Sequence, residues 1–425
     1  MATRHDVRAA QVVEAMREHA GTGPAPGAVW AVASGPRTER RVTVAATGGL
    51  RENALVRTAS VTKPAATALV LGLVEDGALA LEDPLSRWVP AWAGREVLRE
   101  RHGALEDTVP AARELTVRDL LTMGLGLGYD LDDAPGDALA EATQDAGVLS
   151  GWTGPALAPT EWAERVAGLP MAHQPGEGWL YQSSFDALTV VVEAATGRGF
   201  DDMLRDRLLL PLGMVETGYS VPSTRLDRVP PFRWVGGDGE SSELAPAAAP
   251  ALARRPLFCS GAAGLLSTAA DLVRLGQMLL DGGLAPPAYL GPAPTGVPAA
   301  GAPPTGVPVA DDGTAEDLTA DGPTSVGSPR VLAVESVLAM RTDTLTDLTR
   351  PWASGFLEPG WGWGLGVGLD ERGGFGWDGG TGTSLWAYPE QGVTGVLLTW
   401  RGMAGPARPA YMTDFWDAVL AEPWS

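Results

Sequence analysis

Strand-like patterning in this chain is confined to its two ends, and that placement limits the folds open to it more than any other feature. Apolar, strand-like stretches run over 27–34 and 41–47, with Gly35-Pro36 as the turn of a hairpin, and return only at 363–369, 374–377, 384–388 and 393–400. Between them the periodicity is helical, over 62–76, 116–123, 160–167, 184–196, 200–209 and 268–281. Thr116, Thr160 and Thr268 stand in N-cap positions, and Gly77, Gly168, Gly197 and Gly282 fit helix ends. Further helices are expected at 6–19, near 331–340 and at about 409–420. A sheet whose strands come from both ends of one chain closes only if the middle leaves it as an insertion. The expected fold class is therefore α+β, one unit spanning 1–425: a sheet subdomain from 1–60 plus 330–425, and a mostly helical inserted subdomain over 61–284.

Residues 285–329 stand apart. Almost all are Ala, Pro, Gly, Thr, Val or Asp, and Pro-Thr-Gly-Val-Pro occurs at 294–298 and again at 304–308. Such a segment buries too little apolar surface to offset its ordering entropy, which makes it a disordered surface insertion or a domain linker. The longest apolar run, 64–74, lies between Lys63 and Glu75-Asp76. It falls short of the ~18–20 residues that cross a bilayer and reads as a buried helix.

Charge and composition remove several function classes. With 52 acidic against 31 basic residues, the 425-residue chain carries a formal charge of −21. Such a surface repels phosphate backbones and anionic headgroups, so neither nucleic acid nor membrane is an expected partner. The lone Cys259 excludes an intrachain disulfide framework, and residues 1–20 hold no apolar core of the kind an export signal needs, so a cytoplasmic setting is expected. His5, His19, His102 and His173 are scattered and lack i, i+4 pairing, which gives no metal site. The glycines of 124–128 and 362–368 do not follow the G-x-G-x-x-G spacing of a dinucleotide fold, and no cofactor is expected.

One basic residue differs from all the others. Thirty of the thirty-one are Arg, and the only lysine is Lys63. A GC-rich coding bias accounts for scarce lysine together with the absence of Ile and the single Asn53, but an amine offers something a guanidinium does not: it can lose its proton near neutral pH. Ser60-Val61-Thr62-Lys63 opens the buried helix, where residues three apart share a face, so the Lys63 amine can reach the Ser60 hydroxyl. A helix N-terminus favours a developing alkoxide, and burial lowers the pKa of an ammonium. Ser60 is thus a candidate nucleophile and Lys63 its candidate base. Tyr181-Gln182-Ser183 precedes another apolar helix, a position that equally suits a packed aromatic with a wet hydroxyl. Trp377-Asp378-Gly379-Gly380 carries a strand end into glycines, where backbone N–H groups are open to a ligand, as they also are in an ordinary Gly-rich hairpin.

Taken together and in this order, the three elements resemble the serine β-lactamase and penicillin-binding-protein superfamily, in particular its class C β-lactamase-like branch of esterases and D-aminopeptidases. Asp83-Pro84-Leu85, Pro211-Leu212-Gly213-Met214 and Ser260-Gly261-Ala262-Ala263-Gly264 are similar to that family as well, and the likeness covers about 25–281 and 355–425. The resemblance implies a β-lactamase/transpeptidase-like fold, with an antiparallel sheet flanked by helices. It implies Ser60 as the acyl-accepting nucleophile, Lys63 as its base and Tyr181 as the residue sharing proton transfer. The backbone N–H groups of Ser60 and Gly380 would form the oxyanion hole, and Ser183, Trp377, Asp378 and Gly379 would bind substrate. Two departures shape the expected chemistry. Ser183 stands where Asn is usual, and Trp377-Asp378 where lactamases carry Lys and Thr for a substrate carboxylate. A negative Asp378 repels such a carboxylate, so the expected activity is carboxylesterase-like, toward an uncharged small-molecule ester or amide. A β-lactamase, a D-amino-acid amidase or peptidase, or an acyltransferase on the same fold is the alternative, and a non-catalytic binding protein is the second.

Overall fold

The computed structural model describes residues 4–21, 27–131, 136–235, 241–247, 249–287 and 329–424. Its centre is a seven-stranded sheet drawn from both ends of the chain. The strands are β1 (Ala28–Ser34), β2 (Arg41–Thr47), β3 (Gly362–Trp363), β4 (Gly368–Leu369), β5 (Phe375–Gly379), β6 (Thr383–Tyr388) and β7 (Val393–Thr399), in the order β2-β1-β7-β6-β5-β4-β3. Every neighbouring pair is antiparallel, with Ala31 opposite Val396 and Leu385 opposite both Trp377 and Val396.

β1 and β7 are buried along their whole length, which is why neither alternates apolar with charged residues: β1 is apolar from Ala28 to Ala33, and the Thr394 and Thr399 hydroxyls of β7 donate to Trp386 O and Gly382 O inside the fold. Helices cover both faces: α1 (Arg4–Gly21), α2 (Thr62–Glu75), α3 (Ser183–Thr196), α4 (Ala269–Leu280) and α5 (Ala410–Leu420) are the long ones. Successive strand residues point to opposite faces, and Thr394 meets Gly276 of α4 while Gly395 meets Trp416 of α5. A Cβ on Gly276 would lie 2.2 Å from Thr394 Oγ1, so glycine is what allows α4 its close approach. α1 packs against α5 on the second face. α4 belongs by sequence to 61–284, yet it forms part of the layer on the sheet.

α2 is buried on nearly every side, the expected environment for the apolar run at 64–74. Thr268 caps α4 and Thr116 caps the short helix Val117–Leu121, each accepting an N–H from the aspartate three residues on. The helix Pro159–Ala167 starts one residue earlier than expected, with Ala158 at its N-cap, so Thr160 lies inside its first turn. Of the segment 285–329, residues 288–328 lie outside the described residues. Its two ends meet: Ala285 N–H donates to Pro329 O at 2.9 Å, beside a bridge between Leu284 and Arg330.

Candidate active site

Ser60 sits on a short turn, Ala59–Val61, that runs directly into α2. Ala59 has φ +44°, a left-handed conformation uncommon outside glycine, so the backbone is bent sharply one residue before the serine. Hydroxyls from the β5–β6 region hold the turn: Thr383 Oγ1 donates to Thr58 O at 2.8 Å and Thr381 Oγ1 to Arg57 O at 2.7 Å. The end of β5 passes so near that a Cβ on Gly379 would lie 2.5 Å from Thr58 O and 3.3 Å from Ser60 N. Glycine at 379 is therefore a packing requirement that brings the next residue, Gly380, to the same cavity wall as Ser60.

Lys63, the second residue of α2, is wholly buried and touches three oxygens: Ser60 Oγ at 3.1 Å, Gln182 Oε1 at 2.7 Å and Ala262 O at 2.9 Å. Burial lowers its pKa to about 7, against a smaller opposing pull from Asp186. Two of the three oxygens, the Gln182 amide and the Ala262 carbonyl, can only accept. A neutral amine has two N–H bonds and one lone pair. With both N–H bonds committed to those acceptors, the remaining tetrahedral position faces the Ser60 hydroxyl. The arrangement suits removal of the serine proton.

Tyr181 enters from a bridge with Tyr129 and stacks on Phe356, ring centroids 4.6 Å apart. Its hydroxyl accepts the Trp377 indole N–H at 2.6 Å and lies on the Ser60 side of the cavity, while the Lys63 amine lies 4.4 Å from the ring centre. Burial pushes the phenol well above its ordinary value, so it is neutral at physiological pH. Trp377, Tyr181, Ser60 and Lys63 thus converge on one point.

Ser183 does not join them. It opens α3 fully buried, away from the cavity wall, and among the described residues its hydroxyl has no hydrogen-bond partner. The reason is one residue earlier. Gln182 takes φ +91°, which turns its own side chain to Lys63 and sends Ser183 inward. Ser183, expected to bind substrate, is thus off the cavity wall, where Gln182 stands beside the lysine instead, and its sequence offers no sign of the left-handed backbone.

Asp378 also differs from expectation. Its carboxylate accepts Arg408 Nε at 2.6 Å, Ser384 Oγ at 2.5 Å and Trp386 Nε1 at 2.8 Å. The Arg408 guanidinium in turn lies over the rings of Trp361 and Trp386, 4.7 and 4.8 Å from their centroids. The negative charge expected to repel a carboxylate is neutralised by a partner thirty residues away in the chain. In front of Ser60 opens a cavity of about 470 Å³, walled chiefly by aromatic side chains, among them Tyr129, Trp152, Phe232, Trp234, Phe356 and Trp361. Phe232 and Trp234 come from the strand Phe232–Val235, which hydrogen-bonds through Arg233 to Trp400 and Gly402 just beyond β7. Among the described residues, no helix is long and apolar enough to cross a membrane.

A family model described as Beta-lactamase matches residues 11–411. Protein Rv1367c of Mycobacterium tuberculosis is 31% identical over 298 residues, which cover 70% of this chain and 61% of that protein. Esterase EstB of Burkholderia gladioli is 32% identical over 237 residues, 53% of this chain and 57% of the relative. The chain thus spans about three fifths of the length of the curated relatives it matches. The solved structure of EstCE1, described as a hydrolase with promiscuous acyltransferase activity, aligns over 98% of this chain and 99% of its own with a TM-score of 0.71. At 20% identity that likeness is one of fold.

Proposed function

The chain belongs to the Beta-lactamase family, and on that premise we propose that it is a serine hydrolase that forms an acyl-enzyme on Ser60, with carboxylesterase-like activity toward uncharged, bulky apolar esters or amides. The observation that carries the reading is the setting of Lys63: an amine with a pKa near 7 whose two N–H bonds have fixed acceptors and whose third direction faces Ser60.

In this mechanism Lys63 takes the Ser60 proton as Oγ attacks the substrate carbonyl. The backbone N–H groups of Ser60 and Gly380 stabilise the oxyanion of the tetrahedral intermediate. Tyr181, neutral at the outset, passes its proton to the departing oxygen and is recharged from Lys63, while the Trp377 N–H steadies the phenol oxygen through the exchange. Water then attacks the acyl-enzyme by the same route in reverse. The substrate class rests on the aromatic walls and on the closed Asp378–Arg408 pair, which together offer apolar area beside Ser60, while Glu358, exposed at the cavity's edge, adds a negative charge that disfavours an anionic substrate. Trp377, Asp378 and Gly379 then serve the site by holding Tyr181, Arg408 and the serine turn, and not by direct charge recognition. A cytoplasmic setting remains part of the proposal, on the strength of the acidic composition and the single buried cysteine.

The test is covalent labelling with a fluorophosphonate, followed by turnover of aryl esters of increasing acyl size. Labelling at Ser60 and a preference for the bulkier neutral ester are expected. No label favours a non-catalytic binder, and label without ester turnover favours an amidase, a β-lactamase or an acyltransferase.

A further inference from the structure

Behind Lys63 lies a carboxylate that the mechanism above does not use. Asp186, on the first turn of α3, is fully buried and makes two hydrogen bonds in opposite directions. Ser150 Oγ donates to its Oδ2 at 2.7 Å and Ser260 Oγ to its Oδ1 at 2.5 Å. Each serine begins a path to the lysine. Ser150 Oγ accepts Gln182 Nε2 at 3.1 Å, and the second Nε2 proton goes to Gly151 O at 3.0 Å. Both amide protons being spent there, Gln182 Oε1 is turned to Lys63. Ser260 Oγ accepts the backbone N–H groups of Ala262 and Ala263, at 2.9 and 3.3 Å, which fixes the turn that aims Ala262 O at the same amine.

The polarity of both paths is set by one fact: an ionised carboxylate only accepts. Ser150 and Ser260 must donate to it, so their oxygens are free to accept from the amide and from the turn. A buried network in which every member is satisfied is rigid, and a rigid base is what proton transfer requires. Resting on the serine-hydrolase reading, we propose that Asp186 is the positioning residue of the lysine base: through Ser150–Gln182 and through Ser260–Ala262 its two oxygens orient the acceptors that hold Lys63 Nζ and leave its third direction to Ser60.

The titratable groups facing Asp186 are Lys63, Tyr129 and Tyr219. Burial holds both phenols neutral, so near neutral pH the carboxylate's charged neighbour is the lysine. Asp186 itself is pushed up to about 6 by burial, which leaves it ionised above that pH.

The single lysine makes the test direct, because selective 13Cε-lysine labelling of the full chain gives one side-chain NMR signal, whose titration reports Lys63 alone. Asp186→Asn keeps the shape, removes the charge and puts an amide donor where an acceptor stood. The lysine midpoint is expected to fall by about one pH unit, since an opposite charge nearby favours the ammonium. Fluorophosphonate labelling on its alkaline plateau is expected to slow about tenfold through the lost orientation. In a folded variant, a labelling plateau at the parent's rate overturns the proposal, since a merely structural carboxylate would change the melting temperature, and its charge the lysine midpoint, without slowing the plateau; an unmoved midpoint overturns it as well, since Asp186 would then not stand beside the amine. If Asp186→Asn does not fold, Ser150→Ala decides: it keeps the carboxylate and cuts one path. A severalfold slower plateau, restored by Ser150→Thr, supports the proposal, and a parent-like plateau or a failure of the threonine to restore it overturns it. Should the parent take no label, the hydrolase reading fails, and the positioning role that rests on it fails with it; a parent that labels and an Asp186→Asn variant that labels as fast sinks the positioning role alone.

Discussion

Replacing Lys63 by Met should change stability in a way that depends on pH, and the amount follows from where the amine sits. The unfolded chain holds a lysine with a pKa near 10.5, whereas burial lowers it to about 7 in the folded protein. Between those values the unfolded state binds the extra proton, so parent stability rises with pH. The penalty for burying the amine is fully present below pH 7 and gone above about 10.5. Worked through the linkage relation, it is about 4 kcal/mol at pH 7.5 and a little over 1 kcal/mol at pH 9.5. Methionine carries no such penalty, though it strands Gln182 Oε1 and Ala262 O, whose lost bonds contribute a term independent of pH. Subtracting parent from variant at each pH also removes the titration of the groups both share. The stability of Lys63→Met relative to the parent should therefore fall by about 2.5 kcal/mol between pH 7.5 and 9.5. Urea unfolding of both proteins at the two pH values measures it. A difference that stays constant within about 0.5 kcal/mol would refute the claim that the amine is buried with a depressed pKa, and with it the assignment of Lys63 as a base near neutrality.

Three further outcomes are expected. Lys63→Arg keeps a cation near Ser60 but cannot release its proton, so fluorophosphonate labelling should slow by ~10²–10⁴-fold in a protein that still melts cooperatively; labelling at the parent's rate would defeat the base role. Asp378→Thr leaves the guanidinium of Arg408 buried without its carboxylate, which should lower stability by ~3 kcal/mol in urea unfolding while raising the rate on carboxylate-bearing esters relative to neutral ones. Replacing 288–328 by a short Gly/Ser linker should change the urea midpoint little and leave ester turnover intact, because Ala285 and Pro329 already join the ends and loop-closure entropy grows only logarithmically with length; loss of folding would show that these residues pack.

The architecture was readable because its signals are local. β1 stands out as an apolar run and β7 as a strand without charged residues because helices cover both faces of the sheet there, and the apolar run of α2 follows from its burial on nearly every side. Thr116 and Thr268 announce helix starts through bonds that reach three residues. What sequence does not carry is which elements touch. That α4 crosses the sheet depends on Gly276 meeting Thr394, a contact between residues more than a hundred positions apart.

The same division runs through the site. Ser60 and Lys63 are one helical turn apart, so their contact is written in spacing, and glycine at 379 and 380 signals a close backbone approach whatever the partner. Gln182, Asp186 and Arg408 carried no such mark. Gln182 reaches Lys63 across 119 positions by adopting a backbone conformation that its residue type does not advertise. Asp378 was legible as a charge but not as a neutralised one, because its arginine follows the last strand in a stretch without periodicity. A charge in a sequence is a boundary condition whose meaning is set by what the fold places opposite it. Buried Asp186 faces hydroxyls and an amine and stays available to bias a proton, whereas Asp378 faces a guanidinium and closes a wall. The two aspartates, identical in sequence terms, are separated by their partners, and it is the aspartate with the weaker counter-charge that stands close enough to the base to tune it.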